Sequence, residues 1–485
     1  MASFFYAIVT LFIIFLNPYS EPPASQSIFE TVLCWLGLPV FLAVGAYISA
    51  RRIKCDEGKT LERFLQFKRR WLILNLIVLA ANFHIFGLFY FMRTVCPPLL
   101  LEIVVVGVFI GQTAFVLWAI SKTEIRIRSL PFSSSYYILF HIRQYLVAAL
   151  PFLVFAAFFH LLTSIQGLEE ALEIFPSLAF LPVALLIFVM FTLFPVGLRF
   201  LFPNERLKRE PIRTVLLHLA RSVKVEARDV LVWKTGLWRV ANAAVSGLLG
   251  RLRYVFLTDS VLDFPEDEVC AVFAHELGHA KMHHTTLYMV LAISFVGFTL
   301  FLERILLALS PGNQILVFVC FAILFWFFLF GYISRRFEQG ADIFAARLVG
   351  TEALARALLR IFAFTGTEKR TILEWRHFPI ERRVETLKRM SEHLPLLDKL
   401  LKTTRNAMIV LILLVICGLG GYLYCAFEDA SLPQDTIFFL RARYAQSKGD
   451  YERALGFAKR ALDKKPDSER YLELLKEIKR MIGER

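Results

Sequence analysis

The stretch "PEDEVCAVFAHELGHAKMHHTTLYMVLAISFVGFTL" (residues 265–300) changes character halfway along. Its first half is polar, and its second is an apolar run that continues to Ala308. Pro265 suits the start of a helix, and Glu266, Asp267 and Glu268 complement the positive end of its dipole. His275 and His279 are four residues apart, so a helix places both imidazoles on one face. Two imidazoles one turn apart can share one metal ion, and Glu276 beside them can reach a water on that ion. The stretch predicts a metal-binding helix that leads directly into a membrane.

Composition supports the membrane. The chain has 485 residues, 57% of them hydrophobic and only 20% charged, whereas a soluble domain is about half apolar and a quarter charged. The apolar excess falls in blocks near the roughly 20 residues that a helix needs to cross a bilayer. These blocks are 28–50, 71–92, 98–120, 145–162, 175–198, 287–308, 314–334 and 408–427, with a shorter ninth at 2–16 that reads as a span or an uncleaved signal anchor. The seven cysteines form no Cys-x-x-Cys pair, which argues against a cysteine zinc site.

The net charge of +14 does not indicate nucleic acid, because the cations cluster at span ends, as in "RRIKCDEGKTLERFLQFKRR" (51–70). Basic loops stay cytoplasmic. With 51–70 inside, 121–144, 200–286 and 335–407 are also inside, and everything after 427 is outside. The expected organisation is a multi-span membrane region (1–199), a metal-dependent domain (200–406) that includes the two-span hairpin 287–334, a last span (407–427) and a helical tail (428–485). The fold class is mainly α: a polytopic helical membrane protein with a small α+β domain and a C-terminal helical repeat.

His283 continues the four-residue histidine series, but it stands about 12 Å along the helix from His275, too far for one zinc with bonds of about 2 Å. The third ligand must come from elsewhere. A hairpin folded near Ser310 and Pro311 returns residues 338–342 to the depth of His279, where the chain reads "RRFEQGADIFAARLVG". Glu338 can ligate, and Asp342, one turn on, can orient a ligand histidine. The rival carboxylate, Glu303, lies about 36 Å along the helix from His279.

"HELGH" followed across two spans by "EQGAD" resembles the membrane-integral gluzincin metallopeptidases of the type I CaaX prenyl protease and HtpX family. "ANAAVSGLLGRLRYVFLTDSVL" (241–262) resembles that family's Asn-Ala segment, and "HFPIERRV" (377–384) resembles its His-Pro-x-x-x-x-Arg segment, with Phe378 where proline is usual. The likeness covers about 200–400. It implies a zincin fold and a zinc endopeptidase with one Zn2+ per chain, held by His275, His279 and Glu338, with Asp342 behind them and Glu276 as general base. It also implies that His377 and Arg383 lie over the site as catalytic groups and that Asn242 and Ala243 line the substrate strand. The expected substrates are membrane-associated or lipidated polypeptides, in a bacterial cytoplasmic membrane with the zinc domain on the cytoplasmic side.

"DTIFFLRARYAQSKGDYERALGFAKRALDKKPDS" (435–468) matches one 34-residue tetratricopeptide unit at Gly449, Tyr451, Ala454, Ala461 and Pro466. One such unit cannot bury its own face, so it suits a protein partner. The other function classes are a catalytically silent scaffold working through this repeat, and a transporter with Gln112, His84, Glu303 and Arg304 along its path.

Overall fold

The computed structural model describes residues 28–53, 60–131, 133–165, 167–236, 240–306, 309–365, 378–392 and 394–483. The apolar segment 2–16 and His377 lie outside these residues. Among the described residues, seven helices are long and apolar enough to cross a membrane, with one further bent pair. The chain is a multi-pass membrane protein and falls into two compact units.

The first unit comprises residues 1–160, 192–282 and 338–396. Its membrane part contains α1 (Ile28–Arg51), α2 (Thr60–Ala80), α3 (Leu88–Val95), α4 (Pro98–Ile127) and most of α5 (Ser134–Ser164). The expected straight span at 71–92 is broken. A π turn at Ala81–Ile85 and left-handed Gly87 bend α2 from α3 by 58°. Asn75 donates to Thr113 at 3.0 Å, and Gln112 donates to Asn75 at 2.9 Å, so polar groups inside this bundle satisfy one another. Near the ends of α2, α4 and α5, Glu124 accepts from the Tyr137 hydroxyl at 2.5 Å and from Lys68 at 2.8 Å, and Arg128 stands 3.2 Å away.

The soluble part of this unit is built on a four-stranded sheet of order β1-β2-β4-β3. Its strands are β1 (Asn204–Arg206), β2 (Asp229–Trp233), β3 (Ala243–Ser246) and β4 (Tyr254–Thr258). Only β2 and β4 are parallel, and β3 is an open edge. Alternation along the strands sends Val230, Val232, Val255 and Leu257 to one core. There they meet Leu216 of α8 (Ile212–Ser222) and Val269, Val272 and Phe273 of α9 (Glu266–Lys281), which carries the two histidines. Leu231, Tyr254 and Phe256 pack on the other face against Leu198 of α7 (Phe180–Leu201). The acidic first turn of α9 is anchored as well as dipole-matched: Arg360 of α13 (Thr351–Thr365) bonds both oxygens of buried Glu268, at 2.5 and 3.0 Å.

The second unit comprises residues 161–191, 283–337 and 397–485. It holds α6 (Leu168–Ile174), α10 (His284–Leu306), α11 (Pro311–Ile323) and a π turn (Leu324–Leu329) that leads into α12 (Phe330–Val349). The last span belongs to α15 (Leu394–Ala430), which follows α14 (Ile380–Glu392) and runs unbroken through its glycines. These glycines serve close packing. A Cβ on Gly297 of α10 would collide with the Gly418 carbonyl oxygen of α15, so the two helices cross backbone to backbone. The tail is α16 (Gln434–Ser447), α17 (Tyr451–Lys464) and α18 (Glu469–Ile482), packed through Ala442, Ala454, Ala458, Ala461 and Leu474. It is tied to α6 by Lys448 on Glu169 (2.6 Å) and by Arg453 and Arg441 on Glu170 (2.7 and 3.2 Å).

Candidate metal centre

The centre lies where α9 meets α12, within the first unit. Gly278 permits the approach, because a Cβ there would stand 3.1 Å from the Cα of Ala341. One turn of α9 separates His275 from His279, and their Nε2 atoms are 3.2 Å apart. Glu338 comes from α12 and places Oε2 3.5 Å from Nε2 of His275 and Oε1 3.4 Å from Nε2 of His279. Among the described residues this is the one group of three metal-ligating side chains.

These distances fit zinc. Bonds of about 2.05 Å at tetrahedral angles put neighbouring ligand atoms roughly 3.3 Å apart. The donor set, two imidazoles and a carboxylate, is one that zinc accepts while keeping a fourth position open. The contact edges are acceptor against acceptor, which hydrogen bonding alone does not explain unless a proton or a cation sits between them.

Behind these three side chains, Asp342 holds Nδ1 of His275 at 3.0 Å. Arg383, on α14, grips Asp342 with both arms of its fork, Nε at 2.8 Å and Nη2 at 2.6 Å, and its Nη1 is 3.8 Å from Glu338. The expectation put Arg383 over the substrate, and the geometry directs two of its nitrogens to Asp342. Glu276 faces the edge strand instead, where its Oε2 accepts the Val245 N–H at 2.8 Å. Asn242 adjoins that strand and Ala243 begins it. His283 takes a left-handed φ of 55° at the end of α9. Within the second unit, His284 is buried and stacked on Phe337 at 4.1 Å, and Glu303 lines a cavity of about 40 Å³ with Arg304 and Cys425.

Burial and neighbouring charges set the proton affinities of the metal-free centre. Burial by itself lowers His275, but the Asp342 and Glu338 carboxylates outweigh it and hold the imidazole up at about 10. Burial dominates at His279 and depresses it to about 4. Burial also raises the Glu276 carboxyl, so this group holds a proton more readily than a solvated glutamate does.

Two features of the centre escaped the sequence: the Arg383 grip on Asp342 and the Val245 amide on Glu276. Neither has a local signature, since 41 and 31 residues separate the partners.

Residues 206–391 match the model of peptidase family M48. A CAAX prenyl protease 1 homolog of Arabidopsis thaliana is 32% identical over 194 residues, covering 36% of this chain and 45% of that protein. Protease HtpX of Pseudomonas fluorescens is 28% identical over 215 residues, covering 36% of this chain and 70% of that protein. The chain thus spans less than half the length of the plant relative. The crystal structure of S. mikatae Ste24p aligns with 79% of this chain and 98% of that one, at a TM-score of 0.43 and 15% identity. Residues 206–391 are thus similar to a peptidase family M48 domain and lie within a multi-pass membrane protein.

Proposed function

We propose that this chain is a zinc-dependent endopeptidase that cleaves membrane-associated or lipidated polypeptides. The observation that carries the reading is the convergence of His275 Nε2, His279 Nε2 and the Glu338 carboxylate within 4.8 Å, with Glu276 beside them. One zinc per chain, held by these three residues, supplies Lewis acidity toward the scissile carbonyl and toward a water.

The chain's own groups do the rest. Glu276 takes the proton of the attacking water and passes it to the leaving amine, and its burial favours the protonated state in which it delivers. Asp342 and Arg383 act through His275 by fixing its ring orientation. His377 is assigned to the substrate from the likeness of 377–384 to the family segment. An extended substrate adds to β3. The Thr258 N–H donates to the Asn242 carbonyl at 3.0 Å, and the Asn242 N–H donates to the Thr258 hydroxyl at 2.9 Å. By alternation, the backbone groups of Ala243 and Val245 therefore face away from β4. Edge addition gives main-chain affinity with little demand on sequence.

The substrate class follows from the relatives' names, a CAAX prenyl protease and the protease HtpX. The basic loops 51–70 and 335–336 support a cytoplasmic position for the zinc domain. The tail, as a tetratricopeptide-like unit, is assigned to a protein partner.

The test is Glu276→Gln. Purified variant should keep its zinc by elemental analysis and lose peptide hydrolysis by about 10²–10⁴-fold. Cells carrying it should accumulate uncut membrane polypeptides relative to cells with the active protein. Near-normal turnover by the variant would remove Glu276 as the base and, with it, this mechanism.

A further inference from the structure

The hairpin between β3 and β4 carries groups that the proposed chemistry does not use. The start of β4, beside the hairpin turn, sits on the end of a membrane helix. Tyr254, buried at the start of β4, packs on Leu198, and the guanidinium groups of Arg199 and Arg228 lie 5.9 and 5.8 Å from its ring centre. Trp233 of β2 meets Phe202, just past α7, at 4.3 Å. α7 stays apolar as far as Leu198, and its first charge is Arg199. The sheet is therefore seated at the end of the span.

The hairpin tip is held rigidly. Buried Arg253 donates to the carbonyls of Gly247 (3.2 Å), Leu248 (3.0 Å) and Glu226 (3.1 Å). From this fixed tip Leu249 projects at 52% exposure, with exposed Arg251 two residues on. At the end of α7, Phe200 is 83% exposed beside exposed Arg199, and Arg228 is exposed as well. Exposed large apolar side chains accompanied by arginines, on a sheet seated on the end of a span, match the chemistry of the bilayer interface, where apolar groups enter the acyl boundary and guanidinium groups meet phosphate.

We propose that the β3–β4 hairpin tip is a membrane-surface anchor. Leu249 and Phe200 enter the headgroup–acyl boundary, and Arg199, Arg228 and Arg251 bind lipid phosphates. The anchor fixes one end of the edge strand at the lipid surface. It stands whether or not the chain hydrolyses peptides, because it concerns the seating of the sheet.

The test uses the full chain in nanodiscs of phosphatidylcholine and phosphatidylglycerol. Leu249→Cys, in a background with the other cysteines replaced, carries an environment-sensitive fluorophore. The expected result is quenching by lipids spin-labelled near the headgroup and protection from aqueous iodide. Adding Arg251→Glu should remove roughly half or more of the lipid quenching, with zinc content unchanged as the check on folding. Free iodide access without lipid quenching would overturn the anchor. Shielding from both quenchers would put a second copy or another protein on the tip and overturn it too, as would lipid quenching indifferent to the charge reversal. No arm reads catalysis, so this test and the Glu276→Gln test fail independently.

Discussion

Two buried polar clusters lie in the first unit, and they solve opposite problems. In the clasp of α2, α4 and α5, the Glu124 carboxylate is 1% exposed and faces donors only: the Tyr137 hydroxyl, the Lys68 ammonium and the Arg128 guanidinium. Both carboxylate oxygens face donors, so the cluster is balanced within itself and staples three helices. In the metal centre, three acceptor-bearing groups face one another at 3.2–3.5 Å. That arrangement needs a positive charge between its members, either the proton held on His275 or a cation from outside the chain. Burial alone does not distinguish a working site from a staple. What distinguishes them is whether donors and acceptors balance.

The contrast is most severely tested by Glu338→Ala against Glu303→Ala. Loss of a direct ligand should lower zinc affinity by more than the roughly 10–100-fold that an outer partner costs, while Glu303→Ala should leave it unchanged. Zinc titration against a competing chelator measures both, and equal losses would erase the assignment of Glu338. Next comes the clasp. Glu124→Gln leaves Lys68 and Arg128 without their counter-charge, which costs about 3–5 kcal/mol where a buried pair is broken. Unfolding in mixed micelles should show this loss with zinc content intact; a fall in zinc would mean that the two clusters are one system. Asp342→Asn should be milder, weakening zinc about 10–100-fold through the loosened His275 ring, again by chelator competition.

The smallest effect concerns protons. His275 is held up at about 10 and His279 down at about 4, so between these values His275 is the one of the two imidazoles that must surrender a proton to ligate. Log zinc affinity should therefore rise by about one per pH unit across that window. Affinity falls as pH falls, because protons compete for His275. A flat profile near neutrality would show that His275 is already neutral there and that Asp342 does not hold a proton on it.

Local spacing made much of this legible. The His275–His279 pair and the Glu338–Asp342 pair are each one helical turn apart, so each announces itself within five residues. Joining them required only the lengths of two spans. The bend near Gly87 was not legible, because an apolar window reports hydrophobicity and is blind to a π turn. The packing role of the glycines of 408–427 carried no local mark, since it depended on Gly297, 121 residues away from Gly418 in sequence. The tail's attachment through Lys448 and Glu169 spans 279 residues of sequence, and surface charges carry no local mark of their partner.

The crossing of Gly297 and Gly418 also has a meaning in time. A chain made at about 5–20 residues per second leaves roughly 6–24 s between the synthesis of these two glycines. During that interval the Ser294–Gly297 face of α10 has no helix to receive it and must face lipid or an insertion factor. The crossing closes only once α15 has entered the bilayer, so the assembly of the second unit waits on its last membrane helix.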